Sequence, residues 1–183
     1  MNMTPRNIAL FAGAIIIGLF LGLRYPMVGL LLFIPIVVVV AVILLRNKGG
    51  ALASPTASAE ARAFTAAPGK ARIYVMRKGF VGGQQGMNVT IDDTFNSQIR
   101  TGYFLSAEVE PGEHTVYAQM ASQTKSSAAS ETVTLAPGQA ILLDAKLNVG
   151  ALQGAVVFLT TDNAAEARAK LAKLKLVEWK EPA

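Results

Sequence analysis

An apolar run near the N-terminus constrains this chain more than any other feature of its sequence. The run covers residues 7–45, and Arg24 is its only charged residue. A bilayer core takes about 20 helical residues, so the run is roughly twice as long as one crossing requires. Arginine is costly at mid-bilayer, whereas Pro26 suits the first turn of a new helix. We therefore expect a two-helix transmembrane hairpin over residues 7–45 that turns at Arg24–Pro26.

A cleaved signal peptide is the alternative interpretation of this run. A signal peptide has an apolar core of about 7–15 residues that ends in small residues at a cleavage site. Here the first apolar segment leads into Arg-Tyr-Pro and then into a second apolar segment, which favours retention of both helices.

Flanking charge predicts which side of the membrane the rest of the chain occupies. Arg6 precedes the first helix, Arg46 and Lys48 follow the second, and Arg24 alone lies between them. Because basic flanks stay on the cytoplasmic side, we expect a two-pass protein of the bacterial inner membrane with its domain in the cytoplasm.

Small residues recur every four positions in the first predicted helix, at Ala14, Gly18 and Gly22. Such a ridge lets helix backbones approach closely within lipid. It predicts a packing contact with the second helix of the hairpin, or alternatively a contact with a partner subunit.

Charge and cysteine content exclude several classes of function. Four of the 17 basic residues precede residue 51, which leaves 13 basic and 12 acidic residues for the rest of the chain. This mixed charge predicts no nucleic-acid partner, because a phosphate-binding surface needs clustered basic residues. The absence of cysteine excludes disulfides, cysteine-ligated zinc and a thiol nucleophile.

Composition changes sharply after the apolar run. Residues 46–69 are rich in Ala, Ser, Pro and Gly, which predicts a flexible linker. From residue 70 to residue 180, short segments, two of them alternating, stand between turn signals such as Pro111-Gly112 and predict about seven strands. Residues 163–176 predict a helix with Asn163 as its N-cap and lysines towards its end. The expected fold is thus a transmembrane hairpin followed by a mainly-β, sandwich-like domain with a C-terminal helix.

Few residues in the predicted domain carry chemistry. His114 is the only histidine and shares strand parity with Val116, so we interpret it as a packed or hydrogen-bonded residue rather than a catalytic base. Asp92 and Asp93 fit a polar hairpin turn better than a calcium loop. The glycine-rich residues 79–86 lack the Gly-Lys-Ser/Thr of a phosphate loop. We therefore expect no catalytic residue, no metal site and no cofactor.

The order of strands and turns resembles a known family. The segments "ARIYVMR", "NVTIDD", "GYFLSAEVEPGEHTVYA", "VTLAPGQAILLDA" and "TTDNAAEARAKLAKLKL" together resemble the bacterial domain of unknown function 2846 over about residues 70–177. The resemblance implies a β-sandwich and no known activity, so no site residue is carried over. Many members of that family are exported or lipid-anchored through a cysteine. This chain has no cysteine, and the resemblance makes a periplasmic domain the alternative location.

These observations predict a membrane-anchored, non-enzymatic interaction or scaffold module of the bacterial envelope. Its expected partners are the lipid bilayer and a protein, while any small-molecule ligand stays open. The alternative is an accessory subunit of a larger inner-membrane complex that docks through the hairpin. A hydrolase or sugar-processing enzyme built around His114 is the third and least favoured hypothesis.

Overall fold

The computed structural model divides the chain into two compact units, Met1–Leu45 and Arg46–Ala183. It describes residues 49–79, 85–121, 128–149 and 154–180, together with residues 20, 22–27, 29, 31, 34, 35, 37, 38 and 41.

The predicted transmembrane hairpin is wrong. No helix among the residues that the structure describes is long and apolar enough to cross a membrane. The described positions of the first unit are helical except Tyr25, where the helical conformation is interrupted before Pro26. A crossing needs about 20 consecutive helical residues. The prediction of a two-pass inner-membrane protein depended on that hairpin, so this prediction is also wrong.

The predicted ridge of small residues is described only in part. Ala14 and Gly18 lie outside the described residues. Gly22 is helical, and a Cβ built on Gly29 would lie 3.0 Å from the Gly22 Cα, so the two glycine backbones pass very close together. The Gly29 N–H donates to the Tyr25 carbonyl at 3.1 Å. A partner contact through this ridge stays a prediction.

The second unit is mainly β, with two sheets, nine strands and two helices among its described residues. The nine strands are β1 (Ala71–Arg77), β2 (Met87–Ile91), β3 (Phe95–Ile99), β4 (Tyr103–Val109), β5 (Gly112–Met120), β6 (Ala129–Leu135), β7 (Ala140–Val149), β8 (Gly154–Thr161) and β9 (Lys175–Leu176). The helices are α1 (Pro55–Arg62) and α2 (Ala164–Leu171). Sheet A has the order β8-β7-β1-β4-β9, and sheet B has the order β3-β2-β5-β6.

Two layers of apolar side chains hold the unit together. The larger layer lies between the sheets and receives Ile73 and Val75 from β1 and Val89 and Ile91 from β2. The smaller layer lies between sheet A and the helices, where Tyr74 and Met76 of β1 pack with side chains of α2. Successive side chains of a strand point to opposite faces, so β1 supplies both layers.

The structure has more strands and less helix than the sequence predicts. The additional strands are β3, which lies in the segment "TFNSQIR", and the short strand β9, which follows α2. Asn163 does cap α2, because its side chain accepts from the N–H groups of Ala165 and Glu166. The helix ends at Leu171 instead of Leu176, since β9 pairs in parallel with β4 through Tyr103 and Phe104.

The segment before β1 also differs from the predicted flexible linker. Helix α1 begins at Pro55, and the Ser54 hydroxyl accepts from the Ala57 N–H, as an N-cap does. Phe64, which follows the helix, is buried, and its ring centroid lies 4.8 Å from that of Tyr74. The Arg62 guanidinium donates to the Leu174 carbonyl at 2.8 Å. The second unit therefore uses this segment as part of its core.

Both ends of the second unit close the same side of the sandwich. The Val177 N–H donates to the Phe104 carbonyl of β4, and Lys180 forms an isolated bridge with Asn96 of β3. The Gly50 N–H donates to the Gln98 carbonyl of β3, and Leu52 bridges to Val177. These bonds tie the β3 edge of sheet B to the β4–β9 edge of sheet A.

Gly50 has no room for a side chain in this seam, which gives a test of the closure. A Cβ at Gly50 would lie 2.2 Å from Val177 Cγ1 and 2.8 Å from Ser97 Oγ. We expect Gly50→Ala to lower the urea midpoint of unfolding. Val177→Ala removes the main clashing atom, so the double variant should lose at least about 0.5 kcal/mol less than the sum of the two single losses. Additive losses would contradict the close packing of Gly50 on Val177.

Candidate interaction surface

His114 lies at the start of β5 with both ring nitrogens engaged. Its Nδ1 is 2.5 Å from Asp92 Oδ2, and its Nε2 is 2.6 Å from the Glu110 carbonyl oxygen. Both partners are acceptors, and only a protonated imidazole can donate from both nitrogens. His114 thus links the β2–β3 turn to the β4–β5 turn, and neither nitrogen is free to take a proton from a substrate.

The environment of His114 favours its charged form. Burial alone would lower the pKa of His114, but the hydrogen bonds to Asp92 and to the Glu110 carbonyl, with the Asp92 charge, raise it above 6.5. This geometry agrees with the predicted hydrogen-bonded histidine and gives no support to a catalytic base.

Asp92 and Asp93 form a tight turn between β2 and β3. Both residues have positive φ angles, 50° and 54°, a conformation that aspartate tolerates better than most residues. Asp92 Oδ1 also accepts from the Thr115 N–H at 2.8 Å. Among the described residues, no three His, Cys, Asp or Glu side chains are grouped so that they could hold a metal ion. Asp92 and Asp93 therefore belong to no such group.

The glycine-rich segment 79–86 is described only at its ends, at residue 79 and residues 85–86. The Arg77 guanidinium donates to the Gln85 carbonyl at 2.5 Å. Arg77 is 2% exposed, and burial lowers its pKa to about 10. Arg77 therefore fixes the chain just before β2 begins.

Strand β8 is an uncharged strand at the end of sheet A. It is the terminal strand of sheet A, and no strand in the described part of the chain pairs with its outer edge. From Gly154 to Leu159 its side chains alternate, with Ala155, Val157 and Leu159 exposed on the outer face and Val156 buried on the inner face, whereas Thr160 is exposed and Thr161 is buried. Val157 and Leu159 are 38% and 48% exposed. No charged residue occurs from Gly154 to Thr161.

The other sheet edges are closed or carry polar side chains. The β3 and β9 edges meet the terminal segments described above. Strand β6, the other end of sheet B, carries Glu131 and exposes Thr132 and Thr134. Proteins commonly protect free edges with charge, proline or a covering segment. Strand β8 has neither charge nor proline, and β6 of sheet B lies alongside it without pairing.

A buried carboxylate lies next to this edge. Asp144 of β7 pairs with Leu159 of β8, and it is only 4% exposed. Its Oδ2 is 3.5 Å from Lys146 Nζ, while its Oδ1 has no hydrogen-bond partner among the residues that the structure describes. Burial raises the pKa of Asp144 above 3.8, although Lys146 and Lys170 act in the opposite direction.

We define the β8 surface as the outer edge of β8 with Val157 and Leu159, and Asp144 and Lys146 beside them on β7. Strands β7 and β8 were predicted as short apolar segments between turn signals, but no sequence signal told which strand would end the sheet. Asp144 had a signal that was missed, namely a lone acid inside the apolar segment "AILLDAKL".

Comparisons with protein-family models, curated proteins and solved structures found no match. The resemblance to the domain of unknown function 2846 therefore stays a prediction.

The raised pKa of His114 predicts how stability depends on pH. The folded state holds the proton more tightly than the unfolded state, so this stabilisation is present below pH 6.5 and is lost as the pH rises through the raised pKa. We expect the urea midpoint of the full chain to fall over that interval. Asp92→Asn keeps the turn and the bond to Thr115 but removes the charge, so it should flatten the fall. An equally steep fall in that variant would contradict the assignment.

Asp144 gives a second stability prediction with a matched control. Asp144 is buried whereas Lys146 is half-exposed, so Asp144→Leu removes a buried charge and leaves the lysine in water. It should raise the free energy of unfolding at neutral pH by about 1 kcal/mol or more. Lys146→Met leaves the carboxylate without its ion pair and should lower it. Because the pKa of Asp144 is raised, the gain from Asp144→Leu should shrink as acid protonates the wild-type carboxyl. A large loss from Asp144→Leu would contradict this account.

Proposed function

We propose that the second unit is a non-enzymatic interaction module that binds an extended protein segment along the outer edge of β8. One observation carries the proposal: an uncharged strand edge that no described strand pairs with and that exposes Val157 and Leu159. In this type of recognition, main-chain hydrogen bonds provide affinity and alternate side chains provide specificity.

The neighbouring structure supports an edge that is firm enough to bind. Strand β8 pairs with β7 over eight residue pairs, from Leu142–Thr161 to Val149–Gly154. Val156 anchors it in the layer between the sheets, and Phe158 packs against the same layer. A segment added to β8 would therefore meet a strand that is already ordered.

A hydrolytic role is less well supported. His114, the best catalytic candidate, has both nitrogens bonded to Asp92 and Glu110. The module proposed here thus acts through its surface and not through a reaction.

A short synthetic peptide of alternating valine and threonine tests the proposed function. We expect a fluorescent form of it to bind the full chain, and we expect it to slow hydrogen exchange in β8. The same peptide with N-methyl groups on alternate residues should not bind, because it lacks the donors for strand pairing.

Two charged variants provide the matched control for this experiment. Leu159→Lys should weaken peptide binding, whereas Thr134→Lys places the same charge on the β6 edge and should leave binding unchanged. Equal binding of the methylated peptide, or equal loss in both variants, would contradict the proposal.

A further inference from the structure

We infer that the segment that pairs with β8 is β8 of a second copy of this chain, in antiparallel orientation. The inference rests on the proposed docking role of the β8 edge and names its occupant. The result would be a symmetric dimer in which two copies of sheet A form one continuous sheet.

Charge is the first argument for a second copy. A surface that meets its own copy must not place like charges opposite each other, since such pairs are destabilising. Strand β8 has no charged residue from Gly154 to Thr161. The β6 edge would instead place Glu131 in a self-paired interface.

Strand geometry is the second argument. In an antiparallel pair about a two-fold axis through residue 158, position 157 of one copy lies opposite position 159 of the other. Both positions point to the outer face of sheet A, so the outer faces of the two copies join without a break. In this register, odd-numbered residues lie opposite odd-numbered ones and even-numbered residues opposite even-numbered ones. The N–H and C=O groups that point outward from one β8 therefore face the outward groups of the other β8 and can form hydrogen bonds.

Side-chain contact is the third argument. Val157 and Leu159 are the two large apolar residues that β8 leaves exposed. In this register, Val157 of each copy contacts Leu159 of the other, so two apolar cross-strand pairs form at once. On the inner face, the two Phe158 side chains meet at the axis and extend the apolar layer between the sheets.

Disulfide trapping tests the register directly, because the chain has no cysteine of its own. Directly opposed residues have Cα atoms about 4.5–5.5 Å apart, within the range that a disulfide bridges, whereas diagonal neighbours lie about 7–8 Å apart. An oxidised equimolar mixture of Val157→Cys and Leu159→Cys chains should therefore give mainly the mixed disulfide. Thr134→Cys on the β6 edge should form no disulfide above background.

Sedimentation velocity of the full chain gives an independent measurement. The wild type should show a concentration-dependent dimer, and Leu159→Lys should weaken it about tenfold or more, because the substitution affects both symmetric pairs. Thr134→Lys should sediment like the wild type. Leu159 is half-exposed in the monomer, and an unchanged urea midpoint will show that the variant is folded.

Three results would overturn the inference. They are a chain that is monomeric at every concentration, a dimer that Leu159→Lys leaves unchanged, and a predominance of like-with-like disulfides. The peptide experiment separates this failure from failure of the proposed function. A monomer that still binds the valine–threonine peptide would point to a segment of another protein, and a monomer that binds no peptide would end both proposals.

Discussion

Strand β1 is buried on both of its faces, and both layers of the core are built against it. Ile73 and Val75 face sheet B, while Tyr74 and Met76 face the helices. A strand in that position can satisfy its buried backbone only by pairing along both edges. It does so with β4 in antiparallel and with β7 in parallel orientation. Because β7 uses one edge for β1, its hairpin partner β8 must lie on the far side, at the end of the sheet.

The two sides of the sandwich are consequently finished in different ways. On one side, the terminal segments cover β3 and β4, and the Trp179 indole donates to the Ser106 carbonyl at 2.8 Å. On the other side, β8 lies alongside β6, and each ends its sheet among the described residues. The asymmetry follows from chain order, since the described segments before β1 and after β9 both lie on the side of β3 and β4.

Sequence patterns predicted the strands more reliably than they predicted their neighbours. The alternation in β5 and the apolar run in β1 identify a half-buried strand and a fully buried strand. The pattern missed β3, whose "FNSQI" is polar because Ser97 and Gln98 bond to the terminal segments instead of packing in an apolar layer. It also predicted membrane helices from an apolar run alone, although apolar length does not specify a continuous helix.

For the candidate surface as well, the strands were predictable from the sequence but their neighbours in the sheet were not. The apolar segment "AVVFLT" predicts a strand, but its five consecutive apolar residues do not show which side chains face outward. It cannot predict that β8 lies at an edge, because edge position depends on pairings between residues distant in sequence. His114 was interpreted correctly as a hydrogen-bonded residue, but its partners Asp92 and Glu110 are set by two separate turns.

The absence of charge in β8 is unusual only because β8 lies at the edge of a sheet. Inside a sheet, an uncharged strand with aliphatic residues on its outer face would be ordinary. At an edge, the same strand is an association hazard that natural sheets reduce with charge, proline or cover. A single lysine at position 157 or 159 would have given that protection without disturbing the inner face, because both positions point away from the core. The side chains found there, Val157 and Leu159, instead keep the edge able to pair, and this supports the proposed docking role of β8.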